Sequence, residues 1–317
     1  MGRPNVGKST LLNAALGHPL AIVSPTPQTT RDAILGVVHH GSAEIALLDT
    51  PGLHRPRTEL GRVMNEAARE AARGADVVIF MAEVPEGKRD EDKPFKPHPG
   101  DLTLLSGLGT DAPVVFVLNK IDQLHDKRML LPLISAYAKV REFAAVVPIS
   151  ALSRNGVEFV LDEVTKLLPE APWRYDPDEL TDRPAKFFAA EYVREQILKA
   201  TQREVPHACA VQIERFVEPA GGGVAHIDAT IHVERQGQKK ILIGTGADML
   251  KRIGIQARLR IEELIERPVN LKLWVRVTPD WRQSVKQLDE LGYSSTGEQG
   301  ETTMIVAASP DLPEEEE

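Results

Sequence analysis

The string GRPNVGKST, residues 2–10, constrains the fold more than any other stretch of this chain. Gly2, Gly7, Lys8 and Ser9 keep the spacing G-x-x-x-x-G-K-[ST], in which backbone N–H groups turn inward around a diphosphate and a lysine supplies a point charge. Such a loop joins a buried strand to the first turn of a helix. The helix is available in STLLNAAL (9–16), but only Met1 precedes the motif, so the reading expects either a start further upstream or a poorly anchored loop. Roughly ten residues restored upstream, one strand by typical length, are expected to raise nucleotide affinity. Equal affinity with and without them contradicts this.

Downstream, the apolar runs 44–49, 76–82, 113–119 and 145–150 are nearly continuous, as parallel strands covered on both faces require. Amphipathic patterns at 61–72 and 156–168 lie between and after them. This order predicts a doubly wound, mostly parallel α/β sheet with ligands at the carboxyl ends of its strands. Residues 85–101 are too polar and proline-rich to pack and read as a surface loop. The proline density after Leu168 predicts a linker, dividing the chain into 1–170, a linker at 171–184, a second domain at 185–292 and an extension at 293–317 with an acidic tail. In the second domain a helix (about 184–201) leads to apolar runs at 210–217, 225–233 and 239–244, a long helix (247–266) and a strand (269–277), an α+β order.

Composition narrows the function. The chain has 317 residues, 42% hydrophobic and 26% charged, and no apolar run long enough to span a bilayer. Val6 stands where a myristoylation signal needs Ser or Thr. Cys209, in an apolar stretch, reads as a buried thiol, the histidines lack ligand spacing, and His39-His40 read as a strand end. The net charge of −8 argues against nucleic acid until it is divided: residues 183–292 hold 18 Lys and Arg against 14 Asp and Glu, leaving +4 there and −12 elsewhere.

The phosphate loop does not stand alone. Asp49, Thr50, Pro51 and Gly52 follow an apolar run, where the carboxylate can hold a magnesium-bound water and the Gly52 N–H can meet a terminal phosphate. Asn119, Lys120 and Asp122 end another run, and the Asp122 carboxylate can accept both the ring N–H and the exocyclic amine of guanine, a donor pair adenine lacks. Ser150 and Ala151 end the next, where a backbone N–H can meet the guanine carbonyl. With Arg3, Pro4, Asn5, Val6 and Thr10 of the loop, these residues make up the predicted nucleotide site.

These residues closely resemble the TRAFAC-class GTPases. PQTTRD (27–32) is similar to their switch I, which implies Thr30 as a magnesium ligand beside Ser9 and Asp49 and, with Lys8 and Gly52, a part in catalysis. Leu53 occupies the place of the glutamine that orients water in Ras-like enzymes, so turnover is expected to be slow. Asn5 matches the asparagine that holds a potassium ion in several relatives, which adds it to the catalytic group. In the second half, ILIGTGADMLKRIG (241–254) resembles the loop of a KH module, here a type II KH domain, which clamps single-stranded RNA. That implies RNA contacts at Gly244, Thr245, Gly246, Ala247, Lys251, Arg252 and Arg258.

Together with the ending from 253 to 282, both halves resemble the Era family. The resemblance implies a monomeric GTP- and GDP-binding factor for small ribosomal subunit assembly. Its KH domain would hold the 3′ end of 16S rRNA, with Mg2+ and K+ as ions and the inner face of the cell membrane as a peripheral surface in some members. The sequence departs from the family's Gly-x-Gly-Gly loop, with its lysine, at Thr245 and Ala247, and its 85–101 loop is longer. Lower RNA affinity is expected, since a methyl disfavours positive φ and a phosphate contact is lost. The rival reading is an RNA-binding scaffold with little or no hydrolysis, which the presence of Lys8, Ser9, Asp49 and Asp122 disfavours. An ATPase is opposed by Asp122.

Overall fold

The computed structural model describes residues 1–26, 29–53, 56–85 and 95–293. The first helix, α1 (Lys8–Leu16), starts from Gly7 in a left-handed conformation (φ 103°). A hairpin follows, β1 (Ile34–His40) with β2 (Ala43–Asp49), antiparallel in the register Val37 opposite Ala46. Helix α2 (Glu59–Arg73) is capped by the Thr58 side chain, which accepts from the Gly61 N–H. Then come β3 (Val78–Glu83), α3 (Pro99–Ser106), β4 (Val114–Asn119), α4 (Leu130–Ala138), β5 (Ala145–Pro148) and α5 (Val157–Thr165). β4 is central in a parallel sheet of order β3-β4-β5, and every one of its residues is buried, as a strand covered on both faces must be.

The predicted P-loop α/β fold is present, with two physical differences. β1 ends at His39 and His40, the strand end that the sequence indicates, but the rest of the strand is not legible because Gly36 interrupts its apolar run. β2, expected among the parallel strands, pairs antiparallel with β1 instead, and the sheet is in two pieces. Met1 and Gly2 run parallel to β3: the Met81 N–H donates to the Met1 carbonyl at 2.8 Å and Gly2 bridges Met81. A cavity of about 100 Å³, lined by Met1, Leu47 and Val78 among others, lies between β2 and β3.

The second half contains α6 (Ala185–Ala200), the short α7 (Val205–Ala208), β6 (Ala210–Val217), β7 (Ala225–Val233), α8 (Gln236–Ile243), α9 (Asp248–Ile265), β8 (Val269–Val277) and α10 (Val285–Glu290). β7 pairs antiparallel with β6 and parallel with β8. Phe188, Val193 and Ile197 of α6 and Ile253, Ala257 and Ile261 of α9 bury their apolar faces with Ile227, Ala229 and Ile231 of β7. Each of the Ile, Val and Phe side chains contributes about 1.5–3 kcal/mol on burial. The run at 239–244, read among the strands, is largely helical: the Gln238 side chain accepts from the Glu234 and Arg235 N–H groups at 3.0 Å and starts α8. A short apolar run cannot by periodicity alone be told from a helix segment.

The stretch expected as a linker is laid along the hairpin. The Leu180 carbonyl accepts from Val37 N–H at 2.9 Å, and the buried Glu44 carboxylate accepts from the Arg174 and Tyr175 N–H groups, each at 3.0 Å. The two halves also touch directly: Leu60 and Met64 of α2 pack with Trp281 and Leu288, and Arg260 donates to the Pro19 carbonyl at 2.9 Å. The extension beyond Tyr293, most of 85–101, and Pro27 and Gln28 of the switch-like segment lie outside the described residues.

Candidate functional site

The loop from Gly2 to Gly7 delivers the N-terminus of α1, whose first turn carries no acidic side chain, to the carboxyl end of the parallel sheet. Free N–H groups and the helix dipole there favour an anion. Lys8 folds back over the loop, donating to the Arg3 carbonyl at 3.1 Å and to the Gly2 carbonyl at 3.4 Å. Burial holds its pKa below the usual lysine value and the Asp49 carboxylate pulls it back up, so an anion arriving beside it favours the charged form.

Asn119 joins the loop to the segment that follows β5. Its Nδ2 donates to the Val6 carbonyl at 2.8 Å, and its Oδ1 accepts from the Ala151 N–H at 2.9 Å. Lys120, left-handed at φ 65°, pairs with Glu83 at the end of β3. Arg3 turns its guanidinium to the same Glu83 at 3.4 Å and to the fully buried Asp101 at 2.7 Å, leaving its backbone as its share of the loop. Asp122 stands exposed on a 3-10 turn (Ile121–Gln123).

Ser9, Thr30 and Asp49, far apart in sequence, meet. Ser9 Oγ donates to Asp49 Oδ2 at 2.6 Å, Thr30 Oγ1 does so at 3.1 Å, and the two hydroxyls are 3.0 Å apart. Asp49 Oδ1 is buried without a hydrogen-bond partner among the described residues, and burial raises the Asp49 pKa. Hydroxyl and carboxylate oxygens converging on an unsatisfied carboxylate oxygen fit a magnesium ion, a hard cation that takes oxygen ligands. When bound, the ion would neutralise charge on the phosphates.

One pocket of about 590 Å³ gathers Pro4, Asn5, Gly7, Lys8, Ser9, Thr10, Thr30, Gly52, Asn119, Lys120 and Asp122. Val6, Asp49, Thr50, Ser150 and Ala151 are buried and, with Gly2 and Pro51, are not among its lining. Sequence reasoning missed Ile22, Val23, Ser24 and Pro25, which line it, and Leu152, 81% exposed at its mouth. A large apolar side chain directly after Ser150-Ala151 was the available signal for Leu152. The Asn5 Nδ2 donates to the Pro25 carbonyl at 2.8 Å, so this unanticipated segment closes over the loop.

In the second half, Gly244 (φ 72°, ψ 178°), Gly246 (φ 60°) and Ala247 (φ 64°) form a tight turn between α8 and α9. Ala247, Lys251 and Arg258 line a groove of about 340 Å³ floored by Leu250, Ile255, Leu271 and Leu273. Arg252 is exposed outside that lining, and the apolar floor was not foreseen. Trp281 is fully buried, whereas Trp274 is half exposed on β8. A Cβ on Gly244 would come within 2.8 Å of Met249 Cβ and 3.0 Å of its backbone N, in a region open essentially to glycine alone. Gly244→Ala is expected to weaken RNA binding at least tenfold while GTP affinity stays unchanged; filter binding and nucleotide titration check the two halves separately. Ala247→Gly, which relieves a left-handed alanine at a cost in chain entropy, is expected to raise stability by up to about 1 kcal/mol in a thermal melt.

Fold and site together define a P-loop GTPase with a C-terminal KH domain. The family described as "50S ribosome-binding GTPase" matches residues 1–120 and a KH domain matches residues 204–282. GTPase Era of Lactobacillus delbrueckii subsp. bulgaricus is 43% identical over 295 residues, 92% of this chain and 94% of that protein. GTPase Era of Lacticaseibacillus paracasei is 46% identical over 296 residues, 93% of this chain and 95% of that protein. The crystal structure of a point variant of Aquifex aeolicus Era bound to GDP.AlF4− superposes with a TM-score of 0.85 at 38% identity, over 92% of this chain and 97% of that one. An Era complex with MgGDPNP and nucleotides 1506–1542 of 16S ribosomal RNA gives the same TM-score and identity, over 92% of this chain and 96% of that one. The chain belongs to the Era family of GTPases.

Proposed function

We propose that this GTPase binds the 3′ end of 16S rRNA in the groove between α9 and β8 and assists assembly of the small ribosomal subunit. Its GTP pocket sets when the RNA is held. The observation that carries this reading is the turn at Gly244–Ala247 opening onto a groove with an apolar floor for bases and Lys251 and Arg258 for phosphates. An Era relative with MgGDPNP and 16S nucleotides 1506–1542 supports the small subunit as the destination. The "50S" in the family description covers only residues 1–120 and so says nothing of the KH half.

The site residues take these roles. Lys8 and the loop N–H groups hold the phosphates, Ser9, Thr30 and Asp49 hold Mg2+, Gly52 meets the terminal phosphate, and Asp122 reads guanine with Asn119, Ser150 and Ala151 in support. Leu53 offers no polar group to orient water, so turnover is slow, below about 10⁻² s⁻¹. Asn5 beside the Pro25 carbonyl supplies oxygens for K+, and hydrolysis faster in potassium than in sodium at equal ionic strength is the expected result. The working division is 1–170 for the GTPase domain, 171–184 as connector, 185–292 for the KH domain and 293–317 as extension. The chain acts as a cytoplasmic monomer that meets the inner membrane face peripherally. Among the described residues no helix is long and apolar enough to cross a membrane.

Fluorescence anisotropy with a labelled 16S 3′-end oligonucleotide tests the RNA assignment. Lys251→Ala and Arg258→Ala are each expected to weaken binding severalfold and to reduce the salt slope by about 1. Unchanged affinity and slope in both would reject the groove.

A further inference from the structure

We propose that Arg31 is a positioning residue through which the C-terminal half holds Thr30 at the magnesium site of the N-terminal half. Thr30 Oγ1 lies 3.0 Å from Ser9 Oγ and 3.1 Å from Asp49 Oδ2, and the side chain of the next residue makes its hydrogen bonds to the other half. The Arg31 side chain is buried. Its Nη1 donates to the Cys209 carbonyl at 2.6 Å, and its Nη2 donates to the Pro206 and His207 carbonyls, each at 3.3 Å. These carbonyls belong to α7 and the residue after it, where a helix end leaves acceptors without intrahelical donors. The guanidinium also sits 5.7 Å from the ring centre of Trp281 and 6.0 Å from that of Tyr293, within cation–π range.

The socket is held by buried contacts of its own, and Trp281 packs in addition with Leu60 and Met64 of α2. Trp281 is fully buried, its Nε1 donates to the Ala208 carbonyl at 3.0 Å, and its ring stacks on Tyr293. Every group in it comes from residue 206 or later. Consecutive Cα atoms are about 3.8 Å apart, so a socket that fixes Arg31 restricts Thr30 to a small volume. A guanidinium presents its donors in a fixed planar fork, which transmits orientation as well as position. The KH half therefore completes the metal site, and any displacement of α7 or Trp281 reaches Thr30 through one peptide unit.

The inference rests on the reading of Thr30 as a metal ligand, and the experiment separates the two. Arg31→Ala, Trp281→Phe and Thr30→Ala are compared by hydrogen exchange of the nucleotide-free protein over residues 29–35, by affinity for GDP and for a non-hydrolysable GTP analogue, and by single-turnover hydrolysis across a Mg2+ titration. Arg31→Ala is expected to speed exchange at 29–35 at least tenfold. It should raise the Mg2+ concentration for half-maximal hydrolysis about tenfold and weaken the GTP analogue about tenfold, with GDP affinity within twofold. Trp281→Phe, which keeps an apolar ring but loses the bond to Ala208, should shift each in the same direction by about threefold and serves if Arg31→Ala does not fold. If Thr30→Ala impairs hydrolysis but Arg31→Ala and Trp281→Phe match the parent, the coupling is wrong. If Arg31→Ala loses GDP as much as the GTP analogue, Arg31 is merely structural and the inference also fails. If Thr30→Ala hydrolyses like the parent, the ligand assignment itself falls.

Discussion

Replacing Gly7 by alanine is expected to weaken GTP binding at least a hundredfold. Gly7 sits at φ 103°, where an L residue is strained, and an added Cβ would lie 2.2 Å from Asn119 Nδ2. Asn119 has little room to yield: it is 2% exposed and bonded to both the Val6 carbonyl and the Ala151 N–H. Pushing it aside disturbs the Gly2–Gly7 loop and the segment after β5 together. Two disrupted buried hydrogen bonds cost about 1–3 kcal/mol each and the backbone strain about 1–2 more, which together exceed the 2.7 kcal/mol or so that a hundredfold requires. Titration with a fluorescent GTP analogue checks this, and affinity within threefold of the parent would show that the Asn119 bonds to Val6 and Ala151 are not what shapes the pocket.

Asp122→Asn is expected to cost about a hundredfold or more in GTP affinity and to transfer preference to xanthosine triphosphate. On the proposed role the carboxylate would accept from two adjacent guanine donors, each hydrogen bond to a charged group being worth about 1.5–3 kcal/mol. An amide turns one acceptor into a donor, which clashes with guanine's amine and suits the carbonyl that xanthine carries instead. Because Asp122 is exposed on its 3-10 turn, the substitution leaves the core untouched, so lost affinity reads as lost recognition rather than unfolding. Competition among GTP, ATP and xanthosine triphosphate for both proteins measures it. A variant that still prefers GTP would mean guanine is read elsewhere.

The pocket was legible because its chemistry is written in short strings at strand ends. Gly7, Lys8 and Ser9, then Asp49 and Gly52, then Asn119 and Asp122, follow runs whose burial the apolar pattern already implied, apart from the first. What stayed hidden depends on tertiary packing. Nothing local says that Arg31 reaches the Cys209 carbonyl 178 positions away, or that Arg3 turns to Asp101. The hairpin partner β1 was obscured by Gly36, whose missing side chain makes room for Leu12 and Leu16 of α1: a Cβ there would come within 2.6 Å of Leu12 Cδ1. α8 was misread because Ile241 and Ile243 favour strands by local preference, whereas Gln238 caps a helix through its contact with Glu234 and Arg235. In the KH half the loop glycines were visible, but the groove floor depends on Leu271 and Leu273 facing α9, a matter of strand pairing.

If the nucleotide pocket controls the RNA groove, the RNA dissociation constant, measured by anisotropy, differs between the two nucleotide states. With Mg2+ and a non-hydrolysable GTP analogue, the labelled 16S 3′ end should bind about tenfold tighter than with GDP at the same salt, within the 5- to 150-fold range usual for coupled sites. Equal affinity in the two states would contradict that coupling.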